Sequence, residues 1–134
     1  MIRYQKITIM NVRKPSQKSI NDELQWLGNS LGLFNLRDKD KSCFRIFIEL
    51  LKDTKNKKPA TSDELAHKLG LSRGTIIHHI NKLMDSGIVV HNKNRYFLRV
   101  DSLSNLIDEV EKDIKRACDD LKQIAEDIDK KLEL

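Results

Sequence analysis

The most regular pattern of apolar and polar positions lies at the end of the chain. From Leu103, apolar residues recur at Ile107, Val110, Ile114, Ala117, Leu121, Ile124 and Ile128, with spacings that alternate four and three. That 3.5-residue period, held over nearly four heptads, predicts a long helix with a coiled-coil-like seam, which Ser102 caps. Earlier segments are shorter. Ile20, Leu24, Leu27 and Leu31 fall on one helical face after Ser19, and Gly32 ends that helix. Asp40 to Asp53 is apolar nearly all round, as a helix buried in the middle of a core should be. After the polar loop 55–59, Thr61 and Glu64 form a capping box for a short helix whose inner face is Leu65, Ala66 and Leu69. Gly70 terminates it, and Ser72 caps a further helix running to about Asp85.

Gly87 closes that helix, and two β-prone runs follow. Ile88 to Val90 and Arg95 to Val100 flank the turn residues His91 to Asn94, which predicts a hairpin. Residues 1–18 partly alternate through Ile7, Ile9 and Val12 until Pro15 breaks the pattern, so they form either an edge strand or a flexible arm. The chain thus divides into a basic arm or edge strand (1–18), a helix-rich unit ending in a hairpin (19–101) and a C-terminal helix (102–134). There is no longer internal repeat and no low-complexity segment.

The order helix, short helix, glycine turn, helix, hairpin has mechanical consequences. Ala66 is small enough to let two helices cross closely, and Gly70 allows the tight turn between them. Ile76, Ile80 and Leu83 anchor the helix after Ser72 in the core. Its opposite face then stays free to enter a DNA major groove, with the free N–H groups of its first turn and the Ser72 hydroxyl at the DNA end. The fold class this predicts is mostly α with a small β-hairpin: a winged helix-turn-helix with a long C-terminal dimerisation helix.

Charge distribution supports the same direction. Residues 1–102 hold 19 Lys/Arg against 10 Asp/Glu, whereas residues 103–134 hold 6 against 10. A basic front and an acidic tail point to a polyanionic partner for one part only. On the open face of the 72–85 helix lie Arg73, Gly74, Ile77, His78 and Asn81. Arg73 can read guanine or hold a phosphate; Ile77 can meet a thymine methyl; Gly74 lets the backbone approach the bases. His78 contacts DNA, while the adjacent His79 falls beside Ile76, Ile80 and Leu83 and packs in the core. The two point about 100° apart and cannot share one metal ion. Ser72, Thr75, Lys82 and, from the preceding helix, Lys68 are phosphate anchors. Lys93, Asn94 and Arg95 at the hairpin tip touch phosphate or the minor groove, against the plainer reading of a solvated turn.

The run Ser72 to Leu83, SRGTIIHHINKL, with Gly87-Ile88-Val89 and the short wing after it, resembles the recognition helix and wing of ArsR-like winged-helix transcription regulators. The resemblance covers roughly residues 40–100. The Lys/Ile/Asn-rich composition is similar to that of small archaeal regulators of this type, the euryarchaeal archaellum regulators among them. It implies a sequence-specific regulator of double-stranded DNA, acting as a homodimer on an inverted repeat. Its dimer interface would comprise Leu103, Ile107, Val110, Ile114, Ala117, Leu121, Ile124 and Ile128, supported by Leu24, Leu27 and Leu31. Helix orientation is open. Contact with the transcription machinery would accompany such a role.

Two departures bear on metal sensing. The helix before the recognition helix lacks the paired-cysteine box of metal-sensing members, and no histidine follows His91. No metal and no cofactor are expected. Cys43 and Cys118 match no CxxC pattern and read as reduced, buried thiols. Carboxylates on the last helix (Asp108, Glu109, Glu111, Asp113, Asp119, Asp120, Glu126, Asp127) read as solvated flanks of the seam. With no phosphate-cradling loop, nucleophile elbow or zinc spacing, an enzyme is not expected. No apolar run is long enough to span a membrane and no signal-peptide pattern opens the chain, which predicts a cytoplasmic protein. The rival reading is a winged-helix module for protein contacts only, which would have no need of Arg73, His78, Asn81 and Lys82 beside a basic wing. RNA binding ranks below both, since stacking aromatics are few.

Overall fold

The computed structural model describes residues 4–16, 19–34 and 41–133. The expectations placed on residues 1–3, 17–18, Asp40 and residue 134 lie outside these residues. Among the described residues, five helices and three strands follow in the order α1 (Ile20–Ser30), α2 (Ser42–Lys55), β1 (Ala60–Thr61), α3 (Ser62–Leu69), α4 (Arg73–Asp85), β2 (Val89–Asn92), β3 (Arg95–Leu98) and α5 (Leu103–Leu132). The fold is a winged helix-turn-helix, mostly helical with a small antiparallel sheet and a long C-terminal helix.

Local chemistry explains most element starts. Ser19, Thr61, Ser72 and Ser102 are extended N-caps, each side chain accepting from the backbone N–H three residues on. Gly70 ends α3 in the left-handed region (φ 66°), where a side chain would be strained. At the tip of the β2–β3 hairpin Lys93 and Asn94 both have positive φ (51° and 66°), the two-residue loop whose twist suits paired strands.

The sheet has the order β1-β3-β2. Val89 faces Leu98 and Asn92 faces Arg95 in the hairpin, while Ala60 and Thr61 pair with Tyr96 and Arg95. The sequence pattern missed β1. Two residues carry no periodicity, and they become a strand only because β3 passes beside them.

The core gathers on α2. Ile46, Phe47 and Leu50 meet Leu65, Ile76, Ile80, Leu83, Leu98 and Leu106, all essentially without exposure. Truncating any of these to alanine would cost about 2–5 kcal/mol. The amide of Leu98 donates to Thr54 Oγ1 at 2.9 Å and ties β3 to α2. Gly28 is needed where α1 crosses α2: a Cβ there would lie 2.8 Å from the rings of both Phe34 and Phe44.

Residues 4–16 are neither edge strand nor free arm. They run over the domain without regular secondary structure and without joining the sheet. The Lys6 amide donates to the Asp85 carbonyl (2.9 Å), the Met10 amide to the Ser30 carbonyl (2.7 Å), and Trp26 Nε1 to the Val12 carbonyl (3.0 Å).

The last helix departs from the predicted seam. Its first turns present Leu106, Val110 and Asp113 to the domain, and these are buried. A strict 3.5 period does not select Leu106, because it picks Leu103 and Ile107 instead. Val110, assigned to a dimer interface, is buried within its own chain; so is Leu31, which belongs to the core. Leu27 and Leu103 are half-buried against that core. From Lys115 on, every described residue of α5 is exposed, a free helix about 27 Å long. Cys43 is buried as expected, but Cys118 is exposed on this free segment.

Asp113 is the second correction on α5. Far from a solvated flank, its carboxylate is buried and accepts from Arg99 Nη1 (2.5 Å), Arg99 Nη2 (3.2 Å), Gln5 Nε2 (2.8 Å) and Arg116. Arg99 holds the carboxyl below its usual range. One side chain thus joins α5 to the end of the wing and to the N-terminal segment.

Candidate nucleic-acid interface

Helix α4 divides cleanly into two faces. Ile76, His79, Ile80 and Leu83 are buried, so His79 is the packed histidine its position predicts. Arg73, Gly74, His78, Asn81 and Lys82 are exposed, and Thr75 and Ile77 are half-exposed between the faces. The burial of one face fixes the helix, so the other face is presented as a rigid surface. A methyl group at Gly74 would meet nothing within 4 Å, so the helix backbone there is open to an approaching surface.

The Ser72 hydroxyl is already engaged. It accepts from the Thr75 amide (3.1 Å) and donates to Thr75 Oγ1 (2.8 Å). A phosphate here would meet the first-turn N–H groups at the positive end of the helix dipole. Arg73 lies 3.5 Å from Asp63 of α3 with both side chains largely exposed. Such a pair is worth little, so Arg73 is free to exchange Asp63 for an outside partner.

Three nominated cations differ in their freedom. Lys93 and Asn94 stand exposed at the wing tip. Arg95 is held back: its Nη1 donates to the Pro59 carbonyl (2.8 Å) and meets Glu64 Oε1 at 3.3 Å. Lys68 is spent further. Its ammonium sits 2.5 Å from Glu49 and 3.5 Å from Asp53, two buried carboxylates one turn apart on α2. The Glu49 hydrogen bond and the Asp53 charge raise the Lys68 pKa. Burial raises that of Asp53, with Lys68 opposing it. Lys68 is therefore engaged as a counter-ion at the α2–α3 contact. The signal was present in the sequence: two acids four apart inside an apolar helix need a cation from somewhere. Arg45 reinforces the same contact by donating to the Leu69 carbonyl at 2.6 Å.

The helix-turn-helix and the wing lie close in the fold. Glu64 of α3 reaches Arg95 of β3, Asp63 of α3 reaches Arg73 of α4, and β1 leads straight into α3. Among the described residues no group of three or more His, Cys, Asp or Glu side chains could hold a metal ion. No described helix is long and apolar enough to cross a membrane.

Residues 44–90 match the family model of winged helix-turn-helix DNA-binding domains. No curated protein matches the chain at a significant level. The match spans α2 to the start of β2 and so includes the α3–turn–α4 unit. Over those residues the chain is similar to winged helix-turn-helix DNA-binding domains, whose fold it shares.

Proposed function

We propose that the protein is a transcription regulator, ArsR-like and of archaeal type, that binds an inverted-repeat DNA site as a homodimer. The observation that carries the DNA reading is the exposed face of α4, with Arg73, Gly74, Ile77, His78 and Asn81 standing clear of a buried anchor face. These residues read bases in the major groove. Ser72, Thr75 and Lys82 hold the backbone beside them, and Lys93 and Asn94, with Arg95 behind, hold it at the wing. In this reading residues 19–101 form the DNA-binding domain and 102–134 the dimerisation helix, with the basic segment 1–18 ahead of them.

The homodimer rests on the free part of α5. Leu121, Ile124, Ile128 and Leu132 are 47–69% exposed on one side of a helix that has left its domain. A stripe of that kind is a liability in a monomer, and a coiled-coil-like pairing with a second copy would cover it. Ala117 lies on the same exposed segment, Ile114 and Ile107 continue the stripe toward the domain, and Leu24 lies beside Leu103 and Ile20 at a hollow. A two-fold dimer would place its half-sites about 10 bp apart, centre to centre.

The test begins with genome-wide mapping of bound sites, expected to return an inverted repeat. Titrations on that duplex and on random duplexes follow, at two salt concentrations. Arg73→Ala should cost about 1–3 kcal/mol and relax preference at one position; Lys93→Ala should weaken all duplexes alike and lower the salt slope by about one. Sedimentation should show a dimer at micromolar concentration that Leu121→Asp disrupts. If Arg73→Ala and Ile77→Ala both leave affinity for the recovered site unchanged, α4 is not the reader, and a protein-contact module takes its place.

A further inference from the structure

We infer that the N-terminal segment is a second DNA-contacting element, whose Lys6 shares one backbone phosphate with Lys82 of α4. The inference rests on the DNA-binding reading above.

The first observation is compositional. Residues 1–21 contain five Lys/Arg and no Asp or Glu. An uninterrupted cationic segment repels itself and the basic domain beneath it, a cost that an anion meeting both would lower. The structure nevertheless lays residues 4–16 of this segment down on the domain. The Lys6 amide is pinned to the Asp85 carbonyl (2.9 Å) and Gln5 Nε2 to the Ser86 carbonyl (3.0 Å), both at the C-terminal end of α4.

The pinning leaves the Lys6 side chain out of the contact. Its backbone N–H makes the bond and the residue is exposed. Tyr4, Lys6, Lys82, Asp85 and Ser86 line one hollow of about 350 Å³. Lys6 and Lys82 thus border the same hollow beside the recognition helix, over a lining that includes Leu31, Leu33, Cys43 and Leu83. Among the described residues neither Lys6 nor Lys82 has a carboxylate within ion-pair distance. Asp85 and the negative end of the α4 dipole offset part of the two positive charges, and a net cationic surface remains. Tyr4 is 70% exposed at the same rim, where its hydroxyl is a further phosphate donor.

A duplex phosphate fits this chemistry. It is anionic, takes several donors at once and lies along the backbone that flanks a helix in the major groove. Two lysines on one phosphate must also be coupled. Removing either alone loses much of the contact, and removing both loses little more.

The experiment is a double-mutant cycle with Lys6→Ala and Lys82→Ala in the full chain. Binding to a specific and a random duplex is titrated across salt. Each single variant should bind both duplexes about three- to tenfold more weakly, and the salt slope should fall by about one. The double variant should fall by about one as well, with losses well short of additive. Lys6→Arg should restore affinity. Unfolding midpoints should not move, because the Lys6 backbone bond survives every substitution. If Lys6→Ala changes neither affinity nor slope, the segment does not touch DNA. If the double variant is additive, with a slope lower by about two, there is no shared site. A wild-type chain that binds no duplex sinks the DNA-binding reading itself, an outcome distinct from either.

Discussion

Asp113→Ala removes the acceptor that joins α5, the wing end and the N-terminal segment. Its carboxylate is 4% exposed and accepts from Arg99 twice, from Gln5 and from Arg116. Taking one partner from a fully buried ion pair costs about 3–5 kcal/mol, mostly through the charge left behind. Here that charge can be rehydrated in part: the Arg99 side chain keeps 26% of its surface in solvent and Glu109 lies 3.3 Å away. The expected loss is therefore about 2–3 kcal/mol, a large share of a typical 5–15 kcal/mol. Urea unfolding should show a midpoint lower by roughly 1–2 M. Protomer concentration must be held fixed, because any dimerisation contributes to apparent stability. The pH dependence has a definite sign. The folded pKa of Asp113 lies below its ordinary value of 3.8, chiefly through Arg99. Its contribution is thus complete above 3.8 and is lost only as pH falls through the lower folded value. The gap between wild type and Asp113→Ala should hold constant from neutral pH down to about pH 5. A gap below about 0.5 kcal/mol at neutral pH, or one that closes between pH 7 and 5, would refute the clamp.

Two further substitutions separate stability from recognition. Gly74→Ala meets no atom within 4 Å and lies in a helix, so thermal unfolding should show a gain of about 0.5–1 kcal/mol while affinity for the specific duplex falls; a variant both more stable and equally tight would show that the backbone there is not approached. Asp53→Asn should be neutral or stabilising by up to about 1 kcal/mol at pH 7, because burial raises the folded pKa and the ionised form is a net cost. As pH drops below the ordinary value of 3.8, that advantage should vanish, and melts at both pH values check it; a loss above about 1 kcal/mol at pH 7 would mean that Lys68 more than offsets the burial.

The sequence by itself determined what local physics determines. Four N-caps, the left-handed Gly70, the hairpin turn and the split of α4 into a buried and an open face all depend on residues within a few positions of one another. Hydrogen bonds three residues apart and a 3.6-residue period are written along the chain, so Ser72 and Ile76 could be placed without a fold. What pairs with what was decided only in three dimensions. β1 exists because β3 passes it, Lys68 is paired because Glu49 and Asp53 need a cation, and Arg95 is restrained by Glu64 from another element. Asp113 reads as one more acid on an acidic helix until Arg99 and Gln5, 14 and 108 residues away in sequence, close around it. The α5 stripe shows both levels at once. Its periodicity is local and predicted a helix correctly, but which positions meet the domain depends on the angle at which the helix docks. Docking selected Leu106, Val110 and Asp113, and left Leu121, Ile124 and Ile128 to the solvent.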